Sequence, residues 1–431
     1  MVQEVVSLDR VIFHVDLNCF YASVELLDYP ALRDKPVAVC GDPESRHGII
    51  LAKNEPAKRF GVQTAETIWQ ARRKCPDLIL LPSHHEKYAH YSRLARAILE
   101  RYTDLVEPFG IDESWMDVTH SLHLFGGDAV ALADRVRREM REELGLTVSV
   151  GISFNKIFAK LGSDYKKPDA TTLISRENFK QLVWPLPVTD LLFVGRASAA
   201  KLSQYGVTTI GALAAFGRGN LVSLLGKQGS TLYDYANGLE ASPVAPANAY
   251  DPPKSVGNGH TFRRNLVGER DVRQGVLLLA DSVAHRLRKH ALKATTLQVT
   301  IRDPGFHDIC RQKKLPAPTC VARDLTDTAM ELIAVSWNFS APIRAITLTA
   351  SGLLPEGEGG EQTDLFHPEA APRRERLEAL ERTMDAIRAR YGTAAIQSAG
   401  VVGEDLTHAA AEPDPELSPD PTGTTTHEKT T

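Results

Sequence analysis

The run Val11 to Val15, VIFHV, breaks off at Asp16. Three β-branched residues and a Phe in five positions read as a buried strand, and the next residue puts a carboxylate at its C-terminal end. The pattern then alternates. FYASVELL, from Phe20, has helical spacing, and Gly48 to Asp77 mixes a strand-like IIL with helical stretches closed by Pro76. Tyr88 to Tyr102 is an amphipathic helix, Asp117-Val118-Thr119 ends a strand, and Asp128 to Leu144 is a charged helix. Thr147 to Ile152 is a strand and Asn155 to Leu161 a helix. Strands alternating with helices predict an α/β or α+β domain over about the first 170 residues.

Beyond it, residues 175–240 read as wholly helical, with short Gly-bearing turns. Residues 241–254, ASPVAPANAYDPPK, have no period and read as a linker. Residues 255–353 bring back strands (ATTLQVTIR, AITLTASGL) and the helix VRQGVLLLADSVAHRLRKH, which predicts a small α+β domain. Residues 403–431 hold Pro, Thr, Asp and Glu without aromatics and are expected to be disordered.

Composition excludes little. The net charge of -4 gives no global sign of a nucleic-acid partner, although a local patch could hide beneath it. Cys19, Cys40, Cys75, Cys310 and Cys320 form no C-x-x-C pair and read as free thiols in a reducing cytosol. There is no basic segment leading into an apolar run at the N-terminus, and no stretch nears the roughly 18 apolar residues of a membrane helix. The expectation is a cytoplasmic protein without membrane contact.

The chemical constellation is Asp16 with Asp112-Glu113, in FGIDESWMDV. Carboxylates gathered where a sheet ends make a hard oxygen site suited to Mg²⁺. By itself an Asp-Glu pair is more often a pair of solvated loop residues. Its context decides: HVDLNCFYASVE, FGIDESWMDVT and VGISFNKIFAKLGSDYKKP resemble, in order and spacing, three motifs of the Y-family (translesion) DNA polymerases, and most closely the bacterial DNA polymerase IV group. The resemblance runs from about residue 10 to 400.

The resemblance implies an α+β multidomain right hand. Residues 1–19 and 84–173 would be the palm, 20–83 small fingers, 174–241 a helical thumb with a helix-hairpin-helix, and 242–254 a linker. Residues 255–353 would be an α+β little finger, 354–402 a clamp-binding peptide with a C-terminal helix, and 403–431 the tail. It implies a DNA-directed DNA polymerase performing low-fidelity translesion synthesis with two Mg²⁺ ions and no proofreading. The alternative is a catalytically inactive Y-family scaffold protein in damage tolerance. Such members lack the carboxylates, which are all present here.

Residue by residue, Asp16, Asp112 and Glu113 match the catalytic, metal-holding carboxylates, and Leu17 would add its backbone carbonyl. Because adjacent strand residues face opposite ways, the second motif must bend or bulge for Asp112 and Glu113 to share a site. Phe20 and Tyr21 match nucleotide contacts, Tyr21 as the steric gate under the sugar. A core aromatic is the competing reading of Tyr21. Lys167 matches a triphosphate contact.

The fingers depart from the pattern. Where many relatives carry Tyr-Glu-Ala-Arg, this chain has Glu55, Pro56 and Lys58 in place of the Tyr, Glu and Arg, so phosphate contact falls to Lys58 or its rival Lys53. Asn18 stands where many relatives have a second Asp.

Gly195 lies in the thumb hairpin, which would offer backbone N–H groups to a DNA phosphate. Phe193 occupies the hairpin's usual first glycine and weakens it. Residues 251–352 hold fifteen Lys/Arg against nine Asp/Glu. Lys254, Arg263, Arg264, Arg288 and Lys313 could track DNA phosphates, as could Arg286, Lys289, Lys293, Arg311 and Lys314. A solvated charged face is the alternative. Gln362 to Phe366, QTDLF, resembles a sliding-clamp peptide, with Gln362 as anchor and Leu365 and Phe366 as the buried pair. The expected partners are primer-template DNA, deoxynucleoside triphosphates and the bacterial sliding clamp, with the protein a monomer.

Overall fold

The computed structural model describes residues 9–41, 48–249, 252–358, 370–401 and 406. These fall into two compact units that divide at Tyr250/Asp251.

The first unit contains strands β1 (Ile12–Leu17), β2 (Val37–Cys40), β3 (Ile50–Lys53), β4 (Ile79–Pro82), β5 (Val106–Pro108), β6 (Glu113–Asp117), β7 (Val148–Ser153) and β8 (Thr171–Ile174). Five of them form a mixed sheet in the order β5-β6-β1-β7-β8, so the VIFHV run is its central strand. All six residues of β1 are buried. The two faces have different partners. Phe13, Val15 and Leu17 pack with Tyr88, Ile98, Leu132, Val136 and Met140 from the His85–Leu99 and Ala129–Leu144 helices. Ile12 packs with Trp115 and Ala159 on the other face, toward the Lys156–Tyr165 helix. Burial on both sides explains a near-continuous apolar run rather than clean alternation.

Local sequence sets the ends of these elements. Asp128 caps the Ala129–Leu144 helix by accepting from Val130 and Ala131 N–H, and Gly145 ends it in a left-handed conformation (φ 69). Asn155 caps the next helix. That helix lies hard on β7: a Cβ on Gly151 would come within 1.8 Å of the Ala159 carbonyl oxygen. Only glycine permits the approach.

The smaller sheet, β3-β2-β4, packs the Glu55–Arg59 and Ile68–Lys74 helices around Ile50, Ala57, Val62 and Ala71. Residues 179–236 form five α-helices and a 3₁₀ turn around Leu202, Ile210, Leu213, Leu221 and Leu232, as the helical reading expects. Phe193 has a φ of 66, in the left-handed region that favours glycine. The expected linker is only partly one. Ala245 N–H donates to Glu107 (2.8 Å), Ala247 N–H to the Asp104 carbonyl (2.9 Å), and Val244 is buried.

The second unit is a four-stranded antiparallel sheet, β11 (Asp308–Thr319), β10 (Leu292–Arg302), β12 (Ile343–Pro355) and β9 (Ser255–Leu266), in that order. The Glu269–Lys289 and Ala322–Ser336 helices pack on it, and the Ala370–Tyr391 helix joins them. The expected tail needs a correction. Leu406 is 1% exposed within this unit's core, and its carbonyl accepts the Arg263 N–H. A leucine that can reach an apolar core and an open strand edge stays there, whatever the composition around it. Gln362, Leu365 and Phe366 lie outside the described residues. Among the described residues no helix is long and apolar enough to cross a membrane.

Candidate active site

β1 and β6 run antiparallel with Asp16 directly opposite Glu113 and His14 opposite Trp115. Those four side chains therefore share the face that meets the Lys156–Tyr165 helix. β6 begins at Glu113, so Asp112 lies just off the strand and escapes its alternation. The preceding turn runs through Gly110 (φ 107), and the Asp112 carbonyl accepts the Leu17 N–H (3.0 Å). The bend that the motif required is thus a strand end.

The helix delivers the counter-charges. Lys160 Nζ is 2.5 Å from Glu113 Oε2. Lys167, just beyond the helix, is 2.5 Å from Asp16 Oδ2 and 2.6 Å from Asp164 Oδ1. His14, wholly buried, sits 3.2 Å from Glu113 Oε2 through Nε2 and 2.8 Å from Ser163 Oγ through Nδ1. His14, Asp16 and Glu113 form a set whose ligand atoms lie within 4.8 Å of one another, and Asp112 stands on the wall of the adjoining cavity.

Electrostatics divides the carboxylates. Burial pushes the Asp16 carboxyl up to about 7, outweighing the Lys167 ammonium beside it. Asp112 is raised by burial and by Glu113. Burial would raise Glu113 too, but hydrogen bonds from His14 and Lys160 hold it down at about 2. Ionising all of them together is costly without more positive charge, and a divalent cation bound by hard oxygens would supply it. The donor set fits such an ion.

One cavity of about 360 Å³ joins the site to β3 and the Glu55–Arg59 helix. Its walls include Asp16, Leu17, Asp112, Glu113, Tyr21, Lys53, Lys58 and Lys167, so the predicted metal and nucleotide residues converge. Phe20 also lines it, but the residue is 3% exposed and packs in the core. Tyr21 is half-buried: it stacks on Tyr88 (centroids 4.1 Å apart, 11° between planes) while lining the cavity. Tyr88 is itself held by a 2.5 Å bond to the buried Glu25.

The departure at Glu55, Pro56 and Lys58 has a local logic. Asn54 caps the Glu55–Arg59 helix and accepts the Val37 N–H, tying the segment to β2. Glu55 accepts from Cys19 Sγ (3.5 Å) and lies 3.4 Å from Lys58. Lys53 bonds Thr64 (3.0 Å).

The proposed DNA contacts separate. Gly195 is exposed at the start of the Arg196–Ser203 helix, and Lys254 is exposed. Arg263 is half-buried on β9. Arg264 pairs with Asp271, and Lys313 lies 2.7 Å from Glu331; both are surface pairs that DNA could displace. Arg288 is a correction. Its side chain is 2% exposed and is bound to Asp385 (2.7 Å), Glu381 and the Cys320 carbonyl (2.9 Å). A guanidinium satisfied on every side cannot reach a phosphate. Lys293, bound to Glu378 (2.7 Å), is committed to the same helix.

Sequence reasoning missed His14 and Lys160. The signal for His14 was its i,i+2 spacing from Asp16 on a strand. That for Lys160 became readable only once Gly151 had seated the helix.

The impB/mucB/samB family model matches residues 15–164, and that family's C-terminal domain model matches residues 253–365. A DNA polymerase IV of Acetivibrio thermocellus is 47% identical over 385 residues, covering 89% of this chain and 96% of the relative. DNA polymerase IV 1 of Bacillus subtilis is 37% identical over 396 residues, covering 92% and 94%. A solved Y-family DNA polymerase chimera shares the fold at a TM-score of 0.71 and 21% identity, over 80% of this chain and 99% of that one. With both halves matched and relatives this similar along almost their whole length, the chain belongs to the Y family of DNA polymerases, in the bacterial DNA polymerase IV group.

Proposed function

We propose that this DNA-directed DNA polymerase carries out translesion synthesis with two Mg²⁺ ions and no proofreading step, using the residues gathered around the 360 Å³ cavity. That convergence carries the reading: carboxylates from a sheet, lysines from the fingers and from the loop before β8, and an aromatic ring share one space. Asp16, Asp112, Glu113 and the Leu17 carbonyl would hold the ions. When bound, they would activate the primer 3′-hydroxyl and stabilise the departing pyrophosphate.

The chain's own residues do the rest. Lys167, with Lys53 or Lys58, offers positive charge to the triphosphate, and Lys58 does so as a point charge rather than a planar fork. The Tyr21 ring, braced by Tyr88, leaves no room for a ribose 2′-hydroxyl. The Phe20 backbone adjoins it. Gly195 in the hairpin, and Lys254, Arg263, Arg264 and Lys313 in the second unit, would follow DNA phosphates without reading bases. Gln362, Leu365 and Phe366 would engage the sliding clamp. A monomer in the cytoplasm fits this assignment.

Primer extension with and without Mg²⁺, with deoxy- or ribonucleotides, tests the reading. The expected result is Mg²⁺-dependent extension with deoxynucleotides strongly preferred. Extension in chelator, or equal use of both sugars, would overturn it.

A further inference from the structure

Lys167 reaches the cavity from the five-residue connection 166–170 between the Lys156–Tyr165 helix and β8, of which residues 167–169 are the middle. A connection without regular structure, half-buried at Lys167 and Asp169, does not hold a lysine in place by itself. Asp169, whose φ is 53, is gripped from three directions. Arg137 and Arg141, on the Ala129–Leu144 helix, pair with its carboxylate. The Arg141 side chain is 53% exposed, so its grip is weakened by solvent. The third hold comes from a buried residue: the Asp169 N–H donates to Asn18 Oδ1 (2.8 Å), and Asn18 is 6% exposed.

The orientation of this amide is forced. A backbone N–H can only donate, so the Asn18 atom facing it is the oxygen. Asn18 Nδ2 then donates to Ser149 Oγ (2.9 Å), on β7 and fully buried. The amide thus spans from β7 to the 167–169 connection, using both its acceptor and its donor. It does so beside a cavity already lined by Asp16, Asp112 and Glu113.

We propose that Asn18 is a positioning residue for the incoming triphosphate: its buried amide sets the 167–169 connection, delivers the Lys167 ammonium to the cavity, and adds no charge to the carboxylates there. The inference rests on the reading of Lys167 as a triphosphate contact. Asn18→Asp keeps the bridge, because Ser149 can reverse its role and donate to a carboxylate. Asn18→Leu keeps the volume and removes the bridge.

Two measurements test this. Hydrogen exchange of a peptide spanning residues 166–172 is expected to speed up in Asn18→Leu and stay slow in Asn18→Asp. In single-nucleotide incorporation, Asn18→Leu is expected to raise the deoxynucleotide KM about tenfold with kcat changed less than about threefold, and Asn18→Asp to restore KM. Lys167→Met is the reference arm. If Asn18 acts through Lys167, Asn18→Leu adds nothing to the KM of Lys167→Met. Additive effects would overturn the proposal and leave the role of Lys167 intact. A Lys167→Met variant with unchanged KM would sink the triphosphate reading and the proposal with it. Should Asn18→Leu not fold, Asn18→Ser, too short to reach Asp169, takes its place with the same expected outcomes.

Discussion

Each unit buries a cluster of acids and bases, and the two clusters are built to opposite ends. In the first, Lys160 pairs with Glu113 and Lys167 with Asp16, Asp164 lies beside both lysines, and Asp16, Asp112, Glu113 and Lys167 line an open cavity. Negative charge is in excess, and burial holds Asp16 up at about 7. In the second, Arg288 is enclosed by Asp385, Glu381 and the Cys320 carbonyl, Glu381 also accepts the Ala322 N–H (3.0 Å), and Lys293 has its own Glu378. Both cations there are bound to carboxylates of the Ala370–Tyr391 helix. An unmatched cluster with an opening can exchange its lysines for an incoming cation and substrate. A matched, closed one can only hold elements together. Residue type distinguishes neither.

Removing one acid from the open cluster is expected to have the largest effect. Asp112→Ala is expected to lower primer extension on the order of 10³-fold or more, with thermal unfolding nearly unchanged. Extension near the wild-type rate would break the comparison from the first side.

The closed cluster responds in stability. Arg288→Ala leaves two acids facing each other without their cation and is expected to cost about 3–5 kcal/mol, read by denaturant unfolding of the full chain. An unaltered midpoint, together with weaker DNA binding and a shallower salt dependence, would return Arg288 to the DNA contacts.

The tail sharpens the same contrast with purely apolar burial. Ending the chain at 402 removes Leu406 from the second unit's core. The expected loss is about 2–3 kcal/mol, whereas ending it at 407 is expected to be neutral. Equal stability of the two truncations would show that Leu406 contributes nothing.

Acid titration gives the smallest effect. Burial would raise Asp385, but hydrogen bonds from His285 and Arg288 hold it at about 2. Its contribution is therefore present above its unfolded pKa near 4 and is lost as pH falls toward 2. Glu381, pushed up to about 7 by burial against the pull of Arg288, has the opposite sign, and its contribution is lost as pH rises from about 4.5 through 7. Comparing wild type with Asp385→Asn isolates the first: the acid-side slope, about 2 kcal/mol in all, is expected to disappear in the variant. An unchanged slope would mean that Asp385 does not latch the helix.

Period and composition were enough to read the buried strand before Asp16, the helices of the first unit, the helical stretch and the α+β second unit. They depend on which residues must avoid water, and that is written locally. The motif resemblance supplied Asp16, Asp112, Glu113, Tyr21 and Lys167. Partnership was decided by the tertiary structure, because a charged side chain looks the same in a sequence whether it faces solvent or a matching charge. Arg288 reads as a phosphate contact until the Ala370–Tyr391 helix brings Glu381 and Asp385 to it from about a hundred residues away. Leu406 reads as a polar tail until the β9 edge accepts it. Asn18 reads as a lost carboxylate until the backbone of Asp169, 151 residues on, comes within hydrogen-bond reach. In each case the deciding contact spans a sequence distance over which local pattern carries no information, and only the packing of sheets and helices could close it.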